Sequence, residues 1–439
     1  MKTALNSQLK ERCNLDSSIS KFYQKNRSER IQLLVERGFL TQEAGHQLLN
    51  NPLLSDAIAD SMIENQIGQF PLPLGVALNF LVDQKDVIVP MVVEEPSVIA
   101  ASSNGAKVIR QLGGFTTTIK ERAMIGQLIF QNLADVLAAE KIVQARSAEI
   151  IEIANLAYPS IVKRGGGVKR VETRVILNEM EEPEFLTVHL IIDVQEAMGA
   201  NMINTILEAT VGPITEWIQG DVLMEILSNY GDCSLVTATC EIDPNQLTTS
   251  SYDGQWIAQR IVEATRYADL DPYRAATHNK GIMNGIDAVV LASGNDFRAI
   301  EAGAHAYASR NGRYQAMSNW SINEVGHLVG ELTLPMPVGM VGGAISVLPL
   351  VKVNQQLLAI EKASELASVI VSVGLAQNFS ALKALVSEGI QKGHMSLQMK
   401  SLAIHAGATE SEIEAVVAQL KKSKNQNLAQ AQKILADIR

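Results

Sequence analysis

The spacing of apolar residues changes several times along the chain. Residues 31–40 (IQLLVERGFL) and 42–50 (QEAGHQLLN) carry the three-to-four period of partly amphipathic helices. Residues 85–93, KDVIVPMVV, form a β-branched run that predicts a strand. EPSVIAASSNGAKVIRQLGG then predicts a helix, with Pro96 at its first position and Gly113 just past its end. Residues 121–157 read as charged and helical. After Gly165–Gly167 the period falls to two. KRVETRVIL and FLTVHLIIDV predict strands joined by the acidic turn NEMEEPE, an antiparallel meander. A helix, NMINTILEAT, follows. VLMEILSN and CSLVTATCEI then predict a further strand pair.

From residue 255 the pattern returns to long helices and buried small-residue segments. AVVLA, from Ala288, predicts a buried strand that ends in Ser-Gly-Asn-Asp, with a small-residue helix after it. The uncharged run Leu366–Leu382 holds three serines, a Gln and an Asn. It falls short of a comfortable membrane span and predicts a buried helix. The tail after residue 390 is helical. These shifts divide the chain into 1–120, an inserted α/β unit at 121–228, a return at 229–390, and 391–439. The fold class is α/β (α+β), and 439 residues suit more than one core.

Composition narrows the function. The chain is 47% hydrophobic with a formal net charge of −10, which argues against nucleic acid as the main partner. Three cysteines, at 13, 233 and 240, form no CxxC pair. They fit a reducing compartment and offer no metal-ligand spacing. The first residues, MKTALNSQLKERC, lack the apolar core of a signal peptide. A cytoplasmic protein that needs neither membrane nor metal is the expectation.

Four stretches can carry chemistry. In VVEEPS, Glu95 sits where a strand gives way to a helix. Both a favourable helix-dipole charge and a proton-donating carboxyl fit it. In DPYRAATHNKGIMNG, Lys280 has no acid at helical spacing, and amide and small residues surround it. A solvated lysine and an ammonium that holds a developing oxyanion both fit. Arg274 in the same stretch has the planar fork for a carboxylate. In SGNDFRAIEAGAHAYA, Asp296 is a helix N-cap by type and position, a role compatible with catalysis. His305 reads as a packed, hydrogen-bonded histidine. In GIQKGHMSLQ, His394 follows Gly393 at a break between helices. An exposed loop residue and a hinge-borne acid both fit it. No G-x-G-x-x-G occurs. DVQEAMGANMINT instead places Gly199 and Ala200 before a helix opened by Asn201, whose amides suit a pyrophosphate.

Taken in order, seven stretches carry a resemblance. They are ENQIG at 64–68, EEPSVIAAS at 94–102, EAMGAN at 196–201, DPYRAATHNKGIMNGID at 271–287, GNDFRAIEAGAHAYA at 294–308, VGLAQN at 373–378 and GHM at 393–395. From about residue 20 onward the chain resembles the class II, bacterial-type 3-hydroxy-3-methylglutaryl-CoA (HMG-CoA) reductases. No segment is similar to the membrane domain of the animal enzymes. The resemblance implies a two-step reduction of HMG-CoA through mevaldehyde to mevalonate, with release of CoA. It implies that Lys280 stabilises the carbonyl oxyanion, Glu95 donates protons, Asp296 tunes both, and His394 protonates the CoA thiolate. By the same matching, Ser97, Arg274, Asn284, Gln377 and Asn229 contact substrate or the catalytic set. Cofactor contacts would come from Glu196, Met198, Gly199, Ala200 and Asn201 in an inserted domain of non-Rossmann type. The family also implies a homodimer with its active site at the interface, assembly of dimers into a trimer of dimers, and a C-terminal helical flap that carries the histidine.

Two departures bear on the cofactor. Glu196 stands where many members have Asp. Tyr158 stands where NADH-preferring members have an Asp for the ribose 2′-hydroxyl, and Lys163 and Arg164 follow closely. A 2′-phosphate therefore meets no acid here, so NADPH is expected, with NADH as the other candidate. An NADH enzyme of mevalonate breakdown, a thioester transferase and a CoA-binding protein without activity are the alternatives.

Overall fold

The computed structural model of the chain describes residues 16–50, 54–387, 389, 399–409, 411–423 and 425–439. It is a mixed α/β protein. Its strands are β1 (Leu74–Val82), β2 (Lys85–Val92), β3 (Phe115–Ile119), β4 (Met124–Gln131), β5 (Gly167–Leu177), β6 (Pro183–Asp193), β7 (Asp221–Ser228), β8 (Leu235–Ile242), β9 (Ser318–Ile322) and β10 (Leu328–Pro335). Five helices position the site: α1 (Val98–Ile109), α2 (Ala200–Ile218), α3 (Pro272–Ala292), α4 (Phe297–Ala308) and α5 (Ala363–Val386).

The strands form a six-stranded sheet, β2-β1-β3-β8-β10-β9, and a four-stranded sheet, β5-β6-β4-β7. β3 and β8 are antiparallel neighbours, with Phe115 opposite Cys240, yet the whole second sheet lies between them in sequence. Each sheet has its own buried cluster. Phe80, Phe115, Ile286 and Phe379 belong to the first; Leu128, Phe130, Leu190 and Ile206 belong to the second. The β5–β6 meander pairs from Gly167↔Asp193 to Leu177↔Pro183 around its acidic turn, as the alternating pattern predicts.

Three elements differ from the sequence expectation. Residues 121–157 are not helical throughout. Met124–Gln131 is strand β4, held between β6 and β7, and the helix begins only at Val136, where the Asp135 side chain caps the Ala138 N–H at 2.9 Å. MIGQLIFQ is apolar enough for either state, and two flanking strands decide it. VLMEILSN and CSLVTATCEI form strands that do not pair with each other. β7 is an edge of the small sheet, β8 lies inside the large one, and Gly231 at φ 66° turns the chain between them. AVVLA is the last part of α3 rather than a strand. Val289 and Val290 are fully buried, and this packing outweighs their weak β preference.

At the other end, α1 closes as expected, with Gly113 in the left-handed region at φ 102°. Its start is later than expected: Ser97 is the N-cap and Pro96 precedes it, which leaves Glu94 and Glu95 in a strand-to-helix loop.

The uncharged run is the core of α5. Every residue from Leu366 to Phe379 is buried, as a helix apolar on all sides requires. Among the described residues it alone is long and apolar enough to cross a membrane, but 67% of its most apolar stretch is buried in protein, which marks it as a core helix. Both α1 and α3 pack on it. Gly105 makes the α1 approach so close that a Cβ there would lie 2.4 Å from the Ala376 carbonyl oxygen. Gly105→Ala should therefore cost about 1–3 kcal/mol by overpacking. Urea unfolding measures this, and an unchanged midpoint would show that α1 can move away from α5 freely.

Candidate active site

Lys280 and Asn284 stand one turn apart on α3, on one face. The loop after β2 brings Glu95 over that face. Lys280 Nζ donates to Glu95 Oε2 at 2.7 Å, and Asn284 Nδ2 donates to the same oxygen at 3.3 Å. The acid that sequence spacing does not supply is thus 185 residues away. The Lys280 side chain is 61% exposed and that of Glu95 36% exposed. An ion pair so exposed adds only about 0–1 kcal/mol of stability. Its significance is chemical: an ammonium, an amide donor and a carboxyl converge on one point, an arrangement able to hold an oxyanion and to supply a proton.

The neighbours of this cluster come from α1 and α5. Ser97 holds φ 76°, ψ −15°, a left-handed conformation uncommon for a side-chain-bearing residue. Gln377 is buried on α5, where the Ser102 hydroxyl donates to its Oε1 at 2.6 Å. A Cβ on Gly285 would meet Gln377 Cβ at 3.2 Å, so Gln377 lies directly below α3 beside Asn284. Arg274 is half-buried near the start of α3, and among the described residues it forms no ion pair. Its charge acts on His278, which burial first and Arg274 second hold well below the usual histidine range, near 4.

Two expected members stand elsewhere. Asp296 caps α4, accepting from the Arg298 and Ala299 N–H groups at 3.1 and 3.2 Å. α3 runs on from Lys280 to Ala292 before the chain reaches Asp296. That is about 18 Å along the axis at 1.5 Å per residue. Within one chain Asp296 therefore does not hold Lys280. The Asn229 carbonyl packs on α4, 2.7 Å from where a Cβ of Gly303 would be. Glu95, Ser97, Lys280, Asn284 and Gln377 thus form one group, whereas Asp296 caps α4 and Asn229, in the loop after β7, packs against that helix. His394, with the rest of GHM, lies outside the described residues. His305 is packed and hydrogen-bonded as expected, to Tyr314 Oη at 2.8 Å and Glu301 Oε2 at 3.0 Å.

At the small sheet, Gly199 caps α2 at φ 85°. A Cβ there would lie 2.6 Å from Val194, so only glycine fits. No side chain caps this helix, which leaves its first amides open to an anion. Asn201 and Ala200 are in its first turn. A Cβ on Gly166 would lie 2.5 Å from the Asp193 carbonyl oxygen, so the glycine triplet packs on the start of the same loop. Lys163 and Arg164, both exposed, occupy the turn before it, and Tyr158 packs against the small core. Glu196 faces away from α2. Its carboxylate accepts from the Ala363 N–H at 2.5 Å, in the first turn of α5. A Cβ on Gly339 would sit 2.8 Å from the Met198 nitrogen, which fixes this loop tightly against residues 339–341.

The hydroxymethylglutaryl-coenzyme A reductase family model matches residues 26–399. The chain belongs to this family. It is 45% identical over 426 residues to the 3-hydroxy-3-methylglutaryl-coenzyme A reductase of Archaeoglobus fulgidus, covering 97% of this chain and 95% of that protein. A probable reductase of Borreliella burgdorferi is 33% identical over 78% of this chain and 77% of its own length. The Streptococcus pneumoniae reductase superposes with a TM-score of 0.82 at 49% identity, covering 96% of this chain and 99% of that one. A class II S. pneumoniae structure bound to NADPH in open conformations gives 0.81 at 50% identity, over 94% and 100%. As a member of this class the protein is an oxidoreductase.

In this reductase the sequence concealed Arg122. It is largely buried at the entry to β4. One Nη2 donates to the Ala197 carbonyl at 3.1 Å and the Val338 carbonyl at 2.5 Å. Burial pulls its pKa below the usual guanidinium value, with Glu196 and Asp193 opposing. KERAM reads as any charged turn, so no local signal marks it. Among the described residues no cluster of His, Cys, Asp or Glu could hold a metal ion. A surface cavity of about 500 Å³, lined by Arg266, Tyr307, Arg310 and Trp320, contains none of the site residues. Arg122→Met should destabilise the reductase by about 1.5–3 kcal/mol, because two carbonyls lose a charged donor. A thermal melt tests this, and a wild-type melting temperature would show that the loop does not depend on Arg122.

Proposed function

We propose that the protein reduces (S)-HMG-CoA to (R)-mevalonate and CoA with two NAD(P)H, NADPH being favoured, in the mevalonate route to isoprenoids. The observation that carries this reading is the shared hydrogen bonding of Lys280 and Asn284 to one Glu95 oxygen. In the free protein that oxygen marks where a substrate oxygen will be held. Lys280 then supplies a fixed ammonium to the thioester carbonyl as it becomes an oxyanion, and Asn284 a second donor. Glu95 supplies the proton that leaves an alcohol in place of the oxyanion. His394 protonates the CoA thiolate, a task suited to a thiol whose ordinary pKa is about 8.5. Arg274, unpaired among the described residues, would take the anionic HMG carboxylate through its planar fork, with Ser97 and Gln377 shaping the acyl site.

The cofactor residues fit a dinucleotide. Gly199 leaves no room for a side chain where the α2 amides open, and Met198, Ala200 and Asn201 surround that opening. When bound, NADPH supplies the hydride for each reduction. Lys163 and Arg164 would hold its 2′-phosphate, and Tyr158 places no acid against it. Glu196 would act indirectly, by fixing the loop. The S. pneumoniae relative that binds NADPH supports this choice. The inserted unit 121–228 would be the cofactor domain, 1–120 and 229–390 the HMG-CoA domain, and 391–439 the flap.

Asp296 and Asn229 reach a Lys280 site only if a second copy of the chain supplies them. We infer a homodimer with a composite active site, able to assemble further as a trimer of dimers, and located in the cytoplasm. Lys280→Ala should lower turnover by at least about a hundredfold, the scale of losing one oxyanion donor, while HMG-CoA still binds. Asp296→Ala should also be inactive, and co-expression of the two variants should restore activity in mixed dimers. Retained turnover in Lys280→Ala removes it from the chemistry, and mixed dimers without activity would place each site within one chain. Comparing kcat/KM with NADPH and NADH on one preparation should favour NADPH. A clear NADH preference would favour mevalonate oxidation instead, and no oxidation of either cofactor a binding protein.

A further inference from the structure

Asp287 lies three residues after Asn284 and seven after Lys280, on the same face of α3. Here α4 covers the helix. Asp287 Oδ1 is sealed from solvent and has no hydrogen-bond partner supplied by an N–H or hydroxyl group. The side chain beside it is Glu301 of α4, within hydrogen-bonding reach. Two carboxylates cannot bond each other, because both only accept. A single proton between them removes both the orphaned acceptor and the repulsion.

The surroundings decide which acid holds that proton. Burial first, then Glu301, pushes the Asp287 pKa far above the carboxylate range. Glu301 is the charged group that acts on it. Glu301 moves the other way, chiefly because His305 bonds to it. His305 Nε2 meets Glu301 Oε2 at 3.0 Å, and Nδ1 meets Tyr314 Oη at 2.8 Å. These partners make Nε2 the donor to the carboxylate and leave Nδ1 to accept from the tyrosine. Tyr314 in turn lies within hydrogen-bonding reach of the side chain of Asn279, the residue just before Lys280. Asn279 also donates to the Gln315 carbonyl at 2.8 Å and accepts from the Met317 N–H at 2.9 Å. The chain Asp287–Glu301–His305–Tyr314–Asn279 therefore brackets the one turn of α3 that carries Lys280 and Asn284.

We propose that Asp287 is a positioning residue for Lys280 and Asn284, acting as a neutral carboxylic acid that donates to Glu301 and locks the reactive face of α3 to α4. Asp296 caps α4, so the same lock sets the spacing between the helix that carries Lys280 and the helix that carries Asp296. Ionising Asp287 would set two negative charges side by side and open the lock. This rests on placing Lys280 at the reacting carbonyl; the position of the proton does not.

The sign of the pH effect follows. Folding raises the Asp287 pKa, so the native state binds more protons than the unfolded chain above the ordinary carboxylate value of about 4. Its contribution to stability is full below that value and is lost as pH rises through the folded value in the alkaline range. Asn at this position keeps a neutral donor and has no proton to lose.

The test compares Asp287→Asn and Asp287→Leu with the wild type in kcat, KM for HMG-CoA, melting temperature across pH, and infrared absorption at neutral pH. Asp287→Asn should keep kcat within about threefold and should melt progressively higher relative to the wild type as pH rises. Asp287→Leu should lose at least about tenfold in kcat with a smaller change in KM, as expected when a catalytic group is held loosely. The wild-type infrared spectrum should contain a protonated-carboxyl band that Asp287→Asn lacks. Equal kcat losses in both variants, or no such band, would overturn the proposal even if Asp287→Leu simply folds poorly. Full turnover by Lys280→Ala would sink the Lys280 assignment while leaving the infrared result intact.

Discussion

Burial of α5 constrains everything around it. A helix that is apolar on every side has to be covered on every side, and α1, α3 and the large sheet do the covering. Small residues let the helices approach: Gly105 on α1 and Gly285 on α3 both face α5. Once Ile282, Ile286 and Val289 of α3 are committed to this core, helical geometry points Lys280 and Asn284 the other way. The loop that carries Glu95 is fixed by β2 on one side and α1 on the other. The ion pair at the candidate site is thus a consequence of how α3 and α1 are laid on a third helix. Gln377, on α5 itself, completes that floor.

The same helix also fastens the loop of the smaller sheet. Glu196 places a carboxylate at the N-terminus of α5, where a negative charge is favoured by about 0.3–1 kcal/mol and an unpaired N–H is satisfied. The Met340 N–H bonds the Glu196 carbonyl, and Arg122 bonds the carbonyls of Ala197 and Val338. The loop proposed to receive a dinucleotide is therefore tied to the large sheet's body by four bonds from three residues. One chain nevertheless holds the expected catalytic residues in two groups, about 18 Å apart along α3. This separation is the physical basis for inferring a second copy.

Much of this was legible locally. The β5–β6 meander, the Asp296 cap, the Gly113 stop, the buried helix and the packed His305 each depend on neighbours close in sequence. The family was legible from ordered motifs, and the family model and relatives agree with it. Short apolar runs were misread. MIGQLIFQ looked helical and AVVLA looked extended, because burial on both faces erases the period that separates strand from helix. VLMEILSN and CSLVTATCEI have correct strand character, yet their partners are far away in sequence.

The sequence by itself determined the helix caps, the turn glycines, the amphipathic period of exposed elements and membership in the reductase family. The first three are set by covalent geometry or by residues close to each other in sequence, and the last by the order of long motifs along the chain. Only the tertiary structure decided that Lys280 meets Glu95, that Glu196 serves α5, that Arg122 holds the loop, and that Asp287 stands against Glu301. Except for Asp287 and Glu301, on consecutive helices, these partners are separated by more than seventy residues. For Arg122 and Asp287 the chemical state also depends on how far packing removes the group from water, which no local pattern encodes.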